Sequence, residues 1–271
     1  MKTNFYKLLA LFLVLSSCSS SDSSNNDTNN ETIYLPLTTG NYWTYDVETV
    51  DMNQQTTNER DSLYVSGDIL FSGISHKKMQ TLALPFGFYS STLRNNGLRK
   101  DGNSVKMSGI GSYDLGLGTP IDLTINDFVI LKKGAALNEQ LSSIDGVFSQ
   151  TISGYPLDFT YNLKSVNVSE LPTFTSPNGD VYTDVIKSKL VLNLTVSTTQ
   201  LLGGIPITIT ILPQQDVATS YQYYAKNIGM VHTNTIITYQ LNSQIPSTIT
   251  LPIPASGSRS QNEFLDTYLA N

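Results

Sequence analysis

IKSKLVLNLTV, residues 186–196, carries the pattern from which the fold is read. Ile186, Leu190, Leu192, Leu194 and Val196 fall on one side of an extended chain, with Lys187, Lys189, Asn193 and Thr195 opposite. Strict alternation of this kind predicts a strand with one buried and one wet face. Gly203-Gly204 then supplies a tight turn, and residues 205–212 alternate again with Ile207, Ile209 and Ile211 together, so the two runs read as one long hairpin.

The same period of two recurs at Leu157, Phe159, Tyr161 and Leu163, and at Val231, Thr233, Thr235, Ile237, Tyr239 and Leu241. Asn95-Asn96-Gly97 and Asn178-Gly179 are further hairpin signals, because Asn and Gly accept the positive φ of a type I′ turn. Runs this long exceed the usual five or six residues of a strand. They predict an all-β single domain of long antiparallel strands in a curved sheet or half-barrel, with an apolar interior. Residues 260–269 carry capping residues and a Phe264, Leu265, Tyr268, Leu269 stripe, which predicts a short C-terminal helix. Pro252 and Pro254 mark the loop before it.

The beginning of the chain obeys different rules. Lys2 and Lys7 precede an apolar run over residues 8–15, and Ser16-Ser17 lead into Cys18, the sole cysteine. The run is too short to cross roughly 30 Å of hydrocarbon, and its layout is that of a secretory signal. Leu15-Ser16-Ser17-Cys18 resembles the lipobox of bacterial lipoproteins. That resemblance implies removal of residues 1–17, a diacylglyceryl group on the Cys18 thiol and an acyl chain such as palmitate on its new amino terminus. A lone thiol in an oxidising compartment has no disulfide partner, which agrees with lipidation. Ser19, where Asp would stand in a retained lipoprotein, implies the outer membrane of a Gram-negative envelope, with the periplasmic or surface face left open. Residues 19–31 contain only Ser, Asn, Asp, Thr and Glu, so residues 18–31 are expected to be a lipidated, flexible tether before a β domain over 32–271. A less favoured boundary falls near Asn138.

The formal net charge of -6 becomes about -8 once Lys2 and Lys7 are removed with the signal. Such a chain, with no basic cluster, lacks the Lys and Arg that phosphate binding requires, and nucleic acid is excluded as a partner. A search for catalytic chemistry assigns no catalytic, cofactor-binding or metal-binding residue. Gly73-Ile74-Ser75-His76-Lys77 lacks the last glycine of a nucleophile elbow. Gly109-Ile110-Gly111 lacks the third glycine and the lysine of a phosphate loop and reads as a glycine-rich loop continuing to Pro120. Asp101-Gly102-Asn103 and Asn178-Gly179-Asp180 lack calcium-loop spacing and read as turns. His76 and His232 stand far apart and are read as ordinary, partly exposed histidines.

Two stretches are similar to a group of uncharacterised exported lipoproteins. They are YLPLTTGNYWTY, residues 34–45, and YYAKNIGMV, residues 223–231. The resemblance implies a curved sheet related to the half-barrel of periplasmic lipoprotein carriers, whose concave face holds acyl chains. In the first stretch Trp43, Tyr45 and Val47 share a face, and Trp43 is expected to anchor a sheet edge with its indole N–H on a polar partner. Gly229 is expected to serve a tight connection. These readings place the chain as an outer-membrane-anchored, non-enzymatic binding module for a hydrophobic or amphipathic ligand, such as a lipid or an acylated envelope protein. The alternatives are a structural or interaction protein of the envelope and, more remotely, a carboxylate-dependent hydrolase.

Overall fold

The computed structural model describes residues 33–113 and 120–271. The expected signal segment, the expected lipidation site Cys18 and the expected tether lie outside the described residues, as do positions 114–119 of the glycine-rich stretch. Twelve strands follow in chain order: β1 (Tyr42–Val50), β2 (Thr56–Phe71), β3 (Ile74–Gln80), β4 (Gly97–Asp101), β5 (Ser104–Tyr113), β6 (Ile121–Lys132), β7 (Gln140–Ile152), β8 (Tyr155–Thr175), β9 (Val181–Leu202), β10 (Ile205–Ala225), β11 (Gly229–Gln240) and β12 (Ser256–Leu269). One short helix, α1 (Phe88–Leu93), lies between β3 and β4.

All twelve form one antiparallel sheet in the order β6-β5-β4-β3-β2-β1-β12-β11-β10-β9-β8-β7. Each strand therefore neighbours its predecessor in the chain, except that β1 pairs with β12 and the two free edges belong to the consecutive strands β6 and β7. This is an up-and-down meander wrapped nearly into a barrel. The sheet curls further than the half-barrel expected. At one end of the seam side chains stand in for a ladder: the Val129 N–H donates to Ser142 Oγ at 2.9 Å, and the Ser165 hydroxyl donates to the Val129 carbonyl.

The long alternating runs behave as their pattern requires. Ile186, Leu190, Leu192, Leu194 and Val196 are all buried, and β9 turns into β10 through Gly203 and Gly204, both at positive φ. The Asn178-Gly179 turn joins β8 to β9, and Asp101-Gly102-Asn103 joins β4 to β5.

Four local expectations are corrected. Residues 260–269 belong to β12 and not to a helix. Gln261, Glu263 and Leu265 point inward at alternate positions, and the strand fills the place between β1 and β11 that a barrel cannot leave unpaired. The supposed helical stripe has no buried face, since Tyr268 and Leu269 remain exposed. Asn95 does take positive φ, yet its turn links α1 to β4 and makes no hairpin. Gly97 is required there by packing: a Cβ would stand 2.6 Å from that of His76. Gly109 and Gly111 lie within β5. Asn96 lies against Gly109, and its amide exchanges two 2.8 Å hydrogen bonds with the backbone of Ile110, replacing rungs that the short β4 lacks. Trp43 sits in β1 between β2 and β12, away from either edge.

The polar partner expected for Trp43 is present. Its indole N–H donates to the Ile228 carbonyl at 2.6 Å, and Gly229 leaves room for the ring, since a Cβ there would meet Nε1 at 2.8 Å. Residues 34–45 and 223–231 thus pack on one another. No helix among the described residues is long and apolar enough to cross a membrane.

Candidate functional site

The barrel interior is occupied by the chain itself. Residues 81–96 leave β3, fold inward and place α1 among the sheet side chains, with Phe88, Tyr89, Thr92 and Leu93 buried. FYSSTL is a weak helix former. What holds it is a set of polar side chains at inward positions of β2 and β12. Asp61 accepts the N–H groups of Phe86 at 2.9 Å and Gly87 at 2.7 Å. Gln261 accepts the Phe88 N–H at 2.6 Å and donates to the Phe86 carbonyl at 3.0 Å. Glu263 accepts the Tyr89 N–H at 2.7 Å, the Ser90 hydroxyl at 3.1 Å and the Thr233 hydroxyl at 3.2 Å. Donors that lack partners inside a short helix are satisfied in this way.

Glu263 is fully buried, and burial pushes its pKa up to about 7, opposed by the Tyr89 N–H and assisted by the nearby Asp61 charge. Burial also raises Asp61, against the pull of the Phe86 and Gly87 N–H groups. Two carboxylates with raised pKa in one interior layer are the raw material of general acid–base chemistry. Here the space between them is filled by backbone: a Cβ on Gly87 would stand 2.1 Å from Glu263 Oε2 and 2.8 Å from Asp61 Oδ2. The pair is positioned to hold α1 and leaves no room for a substrate.

Toward the far ends of β9 and β10 the interior turns apolar. A cavity of about 50 Å³ lies between Phe159, Val196, Ile211, Tyr239 and a strap, residues 241–255, that crosses from β11 to β12 with Leu251 and Ile253 facing the cavity. The Tyr155 hydroxyl ties the strap down, donating to the Thr248 carbonyl at 2.9 Å and accepting the Thr250 N–H at 3.3 Å. Beneath α1 a further gap of about 10 Å³ remains. The concave face is therefore filled, by α1 on one side and by the strap on the other.

The larger space lies beside the plug. A cleft of about 630 Å³ is walled by Ile69, Phe71, Leu84, Phe86, Phe88 and Ile110, with Arg94, Arg259 and Asp122 supplying charge. Leu84, Phe86 and Ile110 are exposed, an unusual concentration of apolar surface at one mouth. Among the described residues Arg94 has no ion-pair partner. The volume is that of a small-molecule pocket, and greasy walls with a few convergent polar groups are its usual chemistry.

Both histidines are buried, contrary to the partly exposed positions expected. His76 places Nδ1 2.9 Å from the Ile74 carbonyl and Nε2 3.8 Å from Asp127. His232 stacks on Phe264 and lies tilted against Tyr223 on the outer face of the sheet, and burial lowers its pKa to about 4. Among the described residues no group of three or more His, Cys, Asp or Glu side chains could hold a metal ion. Asp61, Gln261, Glu263 and Arg94 escaped the sequence reading. A charged residue at an inward position of an alternating strand was the available signal, and it vanished at Glu263 once residues 260–269 were read as a helix. No family model, no curated protein and no solved structure matches the chain.

Proposed function

We propose that the chain is a lipoprotein anchored through Cys18 to the outer membrane, and that its barrel is a non-enzymatic binding module for an amphipathic ligand with an apolar body and an anionic head. The observation that carries this reading is the 630 Å³ cleft, whose lining joins aromatic and aliphatic side chains with Arg94 and Arg259. An acyl chain would lie against Phe71, Leu84 and Phe86, and its phosphate or carboxylate would meet the guanidinium, whose planar donors suit such groups. The filled interior moves the ligand from the concave face to this flank.

Titration of the full chain with an anionic lysolipid and a neutral analogue of equal chain length, followed by calorimetry, tests the reading. Saturable binding is expected, weakened roughly tenfold for the anionic ligand alone by Arg94→Glu and for both by Phe86→Asp. Absence of saturable binding, or binding indifferent to both substitutions, would overturn it. The filled interior also suits a second reading, a scaffold or interaction protein of the envelope, and that outcome would favour it.

A further inference from the structure

Three segments at one end of the molecule carry no charge. Residues 146–157, 194–215 and 241–258 contain no Asp, Glu, Lys or Arg, and the topology brings them together as the β7–β8 hairpin, the β9–β10 hairpin and the strap. Solubility is normally secured by charge at exposed hairpin tips, so its loss from three separate segments at one end calls for an explanation. Apolar surface is exposed in its place. Leu201 is 73 % exposed and Val147 77 %. Along one face of β10 the cover recedes residue by residue: Ile211 is 3 % exposed, Ile207 41 % and Ile205 66 %.

Below this end runs a belt of acids, each with a local donor. Asn162 Nδ2 donates to Asp145 at 2.8 Å, the Ser149 hydroxyl to Asp158 at 2.6 Å and Asn193 Nδ2 to Asp216 at 2.9 Å. Asp158 pairs with Ser197, five positions before Leu202, so the charge-free hairpin projects about 17 Å beyond the belt.

We infer that this end is a docking surface for a zwitterionic lipid bilayer, with the apolar side chains of the β9–β10 hairpin resting at the edge of the acyl region and the acidic belt held among the headgroups. Hydrocarbon is the partner that rewards absence of charge across the whole tip, because each Asp or Lys carried into it costs about 3 kcal/mol. The belt disfavours anionic lipid by like-charge repulsion. Across the hairpin the backbone stays paired as far as Ile205 and Leu202, whereas β9 after Ser197 and β10 before Ala218 have no ladder on their outer edges, which keeps the hairpin at the boundary between headgroups and acyl chains. Entry of the chain at the opposite end, where the Ile33 carbonyl accepts the Asn227 N–H at 2.6 Å, does not prevent this. Residues 19–31 span up to about 45 Å when extended, so an anchored barrel can lie down along the same bilayer. The inference goes beyond the cleft and does not depend on it.

The test uses the full chain carrying Leu201→Cys or Asn178→Cys, labelled with an environment-sensitive dye and mixed with phosphatidylcholine vesicles containing a spin-labelled quencher lipid. Labelled wild-type chain gives the background from Cys18. The expected result is a blue shift and quenching at 201, none at 178, a roughly tenfold loss of the response on adding Ile205→Asp, and a weaker response with phosphatidylglycerol vesicles. A water-like signal at 201 with vesicles present overturns the inference. So does a blue shift already complete without vesicles, which would mean that a second copy covers the tip.

Discussion

The two ends of the barrel interior solve one problem in opposite ways. Around α1 the inward positions of β2 and β12 carry Asp61, Gln261 and Glu263, and the filling is held by directed hydrogen bonds. Around the strap the inward positions carry Ile211, Val196 and Leu157, and the filling is held by apolar contact, the Tyr155 hydroxyl and the bonds of Asn242 to Thr210 and Ile211 near the strap's start. Directed bonds fix one arrangement and make it costly to disturb. Apolar contact tolerates rearrangement, so the strap end is the one suited to yield to a lipid.

The comparison breaks first at Glu263. Glu263→Ala leaves the N–H of Tyr89 and the hydroxyls of Ser90 and Thr233 without their buried partner, and a loss on the order of 3 kcal/mol in urea unfolding is expected. A loss below about 1 kcal/mol would mean that α1 is held by packing alone.

A pH series sharpens the same contrast. With its pKa up from 4.5 to about 7, Glu263 keeps a proton in the folded chain that the unfolded chain has lost. Its contribution to stability is therefore full below pH 4.5 and falls as pH rises through 7. His232 acts oppositely: its pKa falls from 6.5 to about 4, so the unfolded chain binds the extra proton and stability from this group grows as pH rises between those values. Above pH 6.5 the Glu263 trend stands alone. Between pH 6.5 and 8 the folded chain should lose on the order of 1 kcal/mol, and Glu263→Gln should be nearly flat. Equal slopes in both proteins would exclude Glu263 as the source.

The smallest expected effect lies at the strap. Tyr155→Phe removes the hydroxyl that bridges Thr248 and Thr250 and should cost about 0.5 to 1 kcal/mol overall, while amide exchange speeds up selectively over residues 245–253. Uniform acceleration across the barrel would show that strap and sheet open together.

Long strands were legible in the sequence because one buried and one wet face impose a period of two that residues 186–196 and 231–241 display openly. The closing strand was not, since its inward set, Gln261, Glu263 and Leu265, is mostly polar and mimics a surface. Neither was α1: its order derives from Asp61 and Glu263, 26 and 174 positions away from Gly87 and Tyr89, a dependence invisible in FYSSTL. In the candidate cleft the aromatic residues could be seen, but their place in one lining with Arg94 depends on how residues 81–96 fold back into the barrel. The alternation of Ile207, Ile209 and Ile211 was plain, although nothing local reveals where the strap stops covering it.

The pairing of β1 with β12 has a consequence for how the molecule is made. The Asn41 side chain meets Asn271, 230 positions later, so one edge of the first strand pairs at once with β2 while the other waits for the last strand. Closing a loop of that length is entropically slow, and an emerging chain can assemble β1 to β6 or β7 to β11 as local meanders but cannot join them through β1 until β12 has been made. The barrel therefore fastens only when β12 reaches β1 and β11, and deleting β12 should undo the whole girdle.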